Sequence, residues 1–120
     1  MEKPLALIVE DDPTLNRLFG VTLQQDFEVQ QTHDGEEALE LLNQHSPALI
    51  VLDMNLPGVP GAKILEQVRA EKRLAQTRII LATADALQAN ALGEQADIVL
   101  LKPVSPAQLR DLAKRLFPNR

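Results

Sequence analysis

The chain contains no cysteine, no tryptophan and no tyrosine, and its aromatics are Phe19, Phe27 and Phe117. Without cysteine there is no disulfide, no thiolate metal centre and no cysteine nucleophile. Three phenylalanines leave the core aliphatic and give no platform on which nucleic-acid bases could stack. Positive charge is also scarce. Lys and Arg number 12 against 17 Asp and Glu, for a formal net charge of -5, which argues against direct binding to nucleic acid through its phosphates. Long apolar runs are missing as well. Leu5 to Val9 is followed at once by acids, so it does not read as a signal peptide, and no run is long enough to span a bilayer. The expected location is therefore cytoplasmic, with no membrane partner.

What remains is an ordinary globular balance, 45% hydrophobic and 24% charged over 120 residues. That length suits one domain, residues 1–120, with one core. No repeats, linkers or low-complexity segments interrupt it. Leu5 to Val9 reads as a first strand. Asp12-Pro13 reads as an N-cap with proline at the first helical position. Leu15, Leu18, Phe19 and Leu23 then recur at helical spacing, which predicts a helix over 13–25. Phe27 to Thr32 is a more polar strand, suited to a sheet edge. A capping box at Asp34 to Glu37 opens a helix over Ala38, Leu41 and Leu42. Further strands are expected at 48–52, 78–83 and 98–101. Helices are expected at 61–72, at 85–94 and after Ser105-Pro106, where Gln108 completes a second capping box and Leu109, Leu112, Ala113 and Leu116 face inward.

Five strands alternating with five helices imply an α/β fold, a doubly wound parallel sheet covered by helices on both faces. The flavodoxin-like order 2-1-3-4-5 is the common arrangement for five strands. In that order strands 1, 3, 4 and 5 are neighbours. Their carboxyl ends carry Glu10-Asp11-Asp12, Asp53, Thr83 and Lys102. Ligands bind at this end of open α/β sheets. Asp53 alone could equally be a loop-start residue capping its own turn, since Pro57, Gly58, Pro60 and Gly61 follow it. Crowded carboxylates raise their pKa values or bind a cation. Oxygen ligands of this kind suit Mg²⁺. A carboxylate nucleophile beside a divalent ion, an ammonium and a hydroxyl suits phosphoryl transfer to Asp.

The pieces Leu-Ile-Val-Glu-Asp-Asp-Pro (7–13), Asp-Met-Asn-Leu-Pro-Gly-Val-Pro-Gly (53–61), Ala-Thr-Ala (82–84) and Lys-Pro (102–103) together resemble the receiver domain of two-component response regulators. The resemblance runs from Leu5 to about Leu116. It implies that Asp53 is the phosphoacceptor, with a sensor histidine kinase or histidine phosphotransfer protein as donor. It implies Mg²⁺ bound by Asp11, by Asp53, by the backbone carbonyl of Asn55 and, through water, by Glu10. Lys102 would contact the phosphoryl group, across a cis bond to Pro103. Thr83 would be the switch hydroxyl, acting on a downstream partner or output domain. Asp12 is expected to cap its helix rather than bind metal. Asn55 and Asp85 would flank the path of the water that removes the phosphoryl group. The implied chemistry is self-phosphorylation and autodephosphorylation, not turnover of an external substrate. No output domain follows Arg120, which fits either a stand-alone regulator or a piece of a longer protein.

Two departures from the family are visible. Val99 stands where an aromatic or histidine usually precedes the lysine by three residues, and the stretch from Thr83 to Lys102 is a few residues short. Both fall on the family's usual output face, so weak coupling of that face to Asp53 is expected. Among other readings, an Asp-nucleophile phosphohydrolase would need an acid where Asn55 stands. A flavin carrier would need a hydroxyl- and glycine-rich loop where Glu10-Asp11-Asp12 stands. A pseudo-receiver acting only as an interaction module is opposed by the complete acid–Thr–Lys set. Elsewhere, His33, His45 and the Lys72-Arg73 pair read as solvated surface. Leu87, Ala91 and Leu92 read as core more than as partner surface, although a short fourth helix would leave some of them exposed.

Overall fold

Four of the five strands are aliphatic runs because the sheet is covered on both faces. In the computed structural model, which describes residues 2–118, they are β1 (Leu5–Val9), β3 (Leu49–Asp53), β4 (Arg78–Thr83) and β5 (Ile98–Leu101). The polar one is β2 (Glu28–Thr32). Met1, Asn119 and Arg120, at the ends of the expected domain, lie outside the described residues. All strand pairings are parallel, in the order β2-β1-β3-β4-β5. Order and edge position are thus as the sequence implies.

The side chains divide by strand alternation. Leu7, Val9, Ile50, Leu52, Ile79 and Leu81 pack in one layer with Ala38 and Leu42 of α2 (Gly35–Gln44) and Ile64, Leu65 and Val68 of α3 (Gly61–Ala70). Ala6, Ile8, Leu49, Val51, Ile80 and Leu100 pack in the other. Their partners there are Phe19 and Leu23 of α1 (Pro13–Leu23) and Leu109 and Ala113 of α5 (Pro106–Arg115).

Caps end the loops where the sequence places them. Asp12 Oδ1 accepts from the N–H of Thr14 and Leu15, at 2.9 and 3.0 Å. Asp34 Oδ1 accepts from Glu37 N–H at 2.8 Å, and Ser105 Oγ from Gln108 N–H at 3.3 Å. Strand β3 runs one residue further than expected, so that Asp53 closes the strand itself.

Several expectations are corrected. The buried face of α1 is Asn16, Phe19, Gly20 and Leu23, while Leu18 is exposed. The helix is rotated from the all-leucine stripe because Asn16 donates inward, to the carbonyls of Glu10 and Thr32. Helix α3 stops at Ala70, and a 3₁₀ turn (Lys72–Leu74) follows, which buries Leu74. Arg73 is not simply solvated. Its guanidinium donates to the carbonyls of Leu42 and His45 and to Ser46 Oγ, closing the end of α2. Helix α4 (Ala86–Leu92) has no buried residue. Leu87 is 80% exposed and Ala91 is exposed too. Of the three expected core residues only Leu92 packs against the core, as Ala96 and Val99 also do. Two turns of helix bring one edge to the sheet and no more.

At the far end of the sheet, Asp97 accepts from Arg69, from Arg78 and from the N–H of Ile79, at 3.1, 3.1 and 2.7 Å. Arg69 also donates to the carbonyls of Gln95 and Thr77. This ties the α4–β5 turn down. In the loop after β3, Gly58 has φ 73°, which only glycine adopts without strain. Gly61 starts α3 against the strand end, where a Cβ would lie 2.6 Å from the Asp53 carbonyl oxygen and 2.8 Å from Met54 Cα. Gly61→Ala is therefore expected to destabilise the domain by about 1–3 kcal/mol, as overpacking does. Chemical denaturation will show it, and an unchanged midpoint would mean that the loop has room to spare.

Candidate functional site

Sheet register brings four loops together. Val9 pairs with Leu52, Asp53 with Ala82, and Thr83 with Leu101. The residues that follow these pairs, or complete them, meet at one edge of the sheet. Lys102 Nζ donates to Asp53 Oδ1 at 2.8 Å, and the N–H of Asn55 donates to the same oxygen at 3.0 Å. The Lys102–Pro103 peptide is cis, as the resemblance implies. Asp53 is 1% exposed. Its other oxygen, Oδ2, is buried and has no hydrogen-bond partner among the described residues. Carboxylate oxygens of Glu10, Asp11 and Asp53 lie within 4.8 Å of one another. Glu10 is buried and Asp11 exposed, so the cluster opens to solvent on the Asp11 side.

Local chemistry explains the placement of the acids. Asp12 turns its carboxylate back to cap α1, while its N–H donates to Glu10 Oε2 at 3.1 Å. Glu10 is thereby held inward and Asp11 left free. Asn16 fixes the same loop from beneath through its bonds to Glu10 and Thr32, and Gln31 Nε2 in turn donates to Asn16 Oδ1 at 2.7 Å. Thr83 is buried, and its Oγ1 donates to Gln88 Oε1 at 2.8 Å while accepting from Asp85 N–H at 3.1 Å. Asp85 caps α4, its Oδ1 accepting from Leu87 and Gln88. Its carboxylate, expected beside the water path, is thus engaged by backbone.

Charge balance differs from group to group. Burial pushes Glu10 up from 4.5 to about 7; the Asp12 N–H opposes this and the neighbouring Asp53 carboxylate reinforces it. Burial also works to raise Asp53, but the hydrogen bonds from Lys102, from the Asn55 N–H and from the Glu10 carboxyl when it is protonated outweigh it and hold the Asp53 carboxyl below its usual range. For Lys102, burial favours the neutral amine, yet Asp53 and the other acids keep its pKa above the ordinary value. A short apolar hollow of about 350 Å³, lined by Leu15, Phe19, Ala82, Pro103 and Val104, adjoins Glu10 and Lys102.

Residues 6–114 match the family model described as response regulator receiver domain. The chain belongs to this family. Among curated proteins it is 32% identical over 119 residues to the sensor histidine kinase TmoS of Ectopseudomonas mendocina, covering 97% of this chain and 12% of that protein. It is 34% identical over 107 residues to the transcriptional regulatory protein SrrA of Staphylococcus aureus, covering 86% of this chain and 43% of the other. The receiver domain thus spans less than half the length of either relative. Among solved structures, the receiver domain of the sensor histidine kinase PA1611 of Pseudomonas aeruginosa has a magnesium ion coordinated in its active-site cleft. It shares 26% identity at a TM-score of 0.85, covering 98% of this chain and 99% of that one. The chemotaxis response regulator CheY4 of Vibrio cholerae shares 26% at 0.84, over 96% and 99% of the two chains.

Every side chain expected at the site lies at this edge of the receiver sheet. Asn55 is exposed in the loop after Asp53, tied to it by its N–H. Asn16 and Gln88 escaped the sequence reading. Asn16 carries a signal in retrospect, since an amide interrupts the apolar period of α1. Gln88 carries none, because glutamine in a short helix is unremarkable. No helix among the described residues is long and apolar enough to cross a membrane.

The Glu10 carboxyl makes metal-free stability pH-dependent. Its folded pKa is raised, so the folded chain keeps a proton that the unfolded chain has lost between pH 4.5 and about 7. The stabilisation is full below 4.5 and is lost as pH rises through about 7. Asp53 runs the other way, stabilising above the usual carboxylate pKa and less so as pH falls through its lowered one. In metal-free buffer Glu10→Gln is expected to be more stable than the parent at pH 8 and to lose the fall between pH 5 and 8. Denaturation midpoints across that range will test it. Parallel pH curves for the two proteins would remove Glu10 as the titrating group.

Proposed function

We propose that this receiver domain accepts a phosphoryl group on Asp53 from a phosphohistidine of a sensor histidine kinase or histidine phosphotransfer protein, with Mg²⁺ in the acidic cluster. The observation that carries the reading is Asp53 Oδ2, a buried carboxylate oxygen with no donor among the described residues once Glu10 is ionised, in a cluster with two further carboxylates. A buried acceptor left unbonded costs about 1–3 kcal/mol. It is tolerated where a ligand completes it. At full ionisation three carboxylates and one ammonium leave two negative charges uncompensated, which suits a divalent cation with a taste for oxygen.

Asp11, Asp53, the Asn55 carbonyl and, through water, Glu10 would hold the metal. When bound it would neutralise charge on the transferring phosphoryl oxygens. Asp53 would attack phosphorus with a carboxylate oxygen. The P–N bond of the phosphohistidine breaks, its electron pair returns to the imidazole nitrogen, and an Asp53 O–P bond forms. Lys102, already bonded to Asp53 Oδ1, would meet the phosphoryl oxygens as charge develops there. Thr83 would donate a hydrogen bond to them from its hydroxyl. The reaction modifies the chain's own side chain, so the domain relays a signal to a partner or output domain and turns over no external substrate except by hydrolysis of its own acyl phosphate. Such a donor would act in the cytoplasm, which is the location this reading gives the domain. The relatives that are sensor histidine kinases and transcriptional regulators, and the magnesium-bound receiver of PA1611, support the reading.

Treatment with acetyl phosphate and Mg²⁺ is expected to add one phosphoryl group by intact mass, and Asp53→Asn or chelation of the metal to prevent it. Modification that survives Asp53→Asn would place the acceptor elsewhere. Mg²⁺ alone is expected to raise the melting temperature. At roughly one hundred times Kd the gain approaches about 2.7 kcal/mol if the unfolded chain binds none. Asp11→Ala should abolish that rise, and a rise that persists in Asp11→Ala would move the metal away from this cluster.

A further inference from the structure

Thr83 has one hydroxyl proton, and in this structure that proton is spent on Gln88. The Oγ1–Oε1 distance is 2.8 Å, and the hydroxyl's accepting side is taken by the N–H of Asp85 at 3.1 Å. Thr83 closes β4, one residue past the Ala82 that pairs with Asp53. It is 1% exposed, so solvent does not compete for its proton. Threonine is β-branched and stiff at χ1, and its hydroxyl occupies discrete rotamers rather than a continuum. Gln88 sits in the first turn of α4, half-buried, with its own N–H held by the Asp85 cap. The side-chain carbonyl is therefore set in place from the backbone side as well.

We infer that Gln88 is the resting acceptor of the Thr83 hydroxyl and competes with a phosphoryl oxygen on Asp53 for its proton, which makes Gln88 a positioning residue that couples the site to α4. The inference rests on the phosphoacceptor reading of Asp53. It adds to that reading the residue that opposes the switch and the route by which the switch is felt. A proton cannot be given to both acceptors at once. When Thr83 turns to the phosphoryl group, Gln88 loses its donor, and α4 loses one of the few bonds that fasten it. None of the residues of α4 is buried. Its fastenings are the Asp85 cap, the Gln88 bond, the edge contact of Leu92, and the turn tied down by Arg69. Val99 is half-buried against the core and is too short to sweep between surface and interior, so it is a poor second route.

Beryllofluoride with Mg²⁺, used as the phosphoryl mimic, tests the inference by titration and by amide hydrogen exchange. Gln88→Leu removes the competitor. It is expected to tighten beryllofluoride binding by roughly five-fold, the equivalent of about 1 kcal/mol for one net hydrogen bond. It should also raise exchange in residues 86–92 of the free protein toward the level that the parent reaches only with beryllofluoride. Gln88→Glu offers a charged, stronger acceptor and is expected to weaken beryllofluoride binding. In a Thr83→Val background Gln88→Leu should not change affinity, because no proton remains to compete for. In the free parent, Thr83→Val should shift the side-chain amide resonances of Gln88, a readout that needs no phosphoryl mimic. If the parent binds no beryllofluoride, the phosphoacceptor reading itself falls. If the parent binds it and Gln88→Leu and Gln88→Glu bind it equally well, or if the effect of Gln88→Leu persists in Thr83→Val, the competition is overturned while the phosphoacceptor reading stands.

Discussion

The ion pair between Asp53 and Lys102 is the interaction on which the rest of the site depends. Asp53 is fully enclosed, and a buried carboxylate without compensation costs several kcal/mol. Lys102 reaches it from the far side of β4 at 2.8 Å, with a quarter of its own side chain still in solvent. This asymmetry matters. The lysine keeps enough hydration to remain a cation at little expense, while the aspartate relies on it. Removing the lysine would strand the charge, so the apparent worth of the pair in any truncation experiment is mostly the penalty of stranding. Lys102 satisfies only one of the two Asp53 oxygens. Compensation is deliberately incomplete in the physical sense that one acceptor, and the carboxylates of Glu10 and Asp11, are left facing each other.

Sheet topology makes that meeting possible. Asp53 and Lys102 are 49 residues apart, and Glu10 precedes Asp53 by 43 residues on the other flank. Parallel strands all present their carboxyl ends at the same edge, so residues that end successive strands become neighbours without any local sequence relation. The aliphatic layers on either side fix the height of each strand. Moving a strand by one residue would drive its core side chains to the opposite face. Register is therefore enforced by Leu7, Ile50 and Ile79 on one layer and Ile8, Val51 and Ile80 on the other, far from the chemistry. The polar site can be electrostatically strained because an apolar core two residues below it is not.

Strand-terminal charges and helix caps were legible in the sequence because their physics is local. Asp53 ends an aliphatic run, Asp12 precedes a proline, and Ser105 does the same; each signal needs only its neighbours. Strand order, by contrast, was supplied by a common topology and a family resemblance, not by any single residue. Long polar side chains were the least legible. Arg73 closes α2 from thirty-one residues away, and nothing near Arg73 announces it. Asn16 sits on the buried face of α1 where leucine periodicity pointed to Leu18, because its amide finds two carbonyls that the pattern does not encode. Leu87 reads as core by hydropathy and is solvent-exposed by geometry, since a seven-residue helix cannot turn that side to the sheet.

Energetics limit what the site can ask of α4. Moving a two-state element from 1:99 to 99:1 takes about 5.5 kcal/mol. One exchanged hydrogen bond supplies about 0.5–1.5 kcal/mol, a shift of roughly two- to twelve-fold. A helix buried like α3, with Ile64, Leu65 and Val68 in the core, would not respond to so small a bias. Helix α4 anchors itself with Leu92 and polar bonds, and segments with few buried contacts open locally at low free energy. Its poor burial is thus what brings it within reach of a single hydroxyl. On the competition proposed above, and with valine at position 99, sensitivity would come from a weakly held element and not from a large moving part. An element near balance answers in proportion to the bias applied.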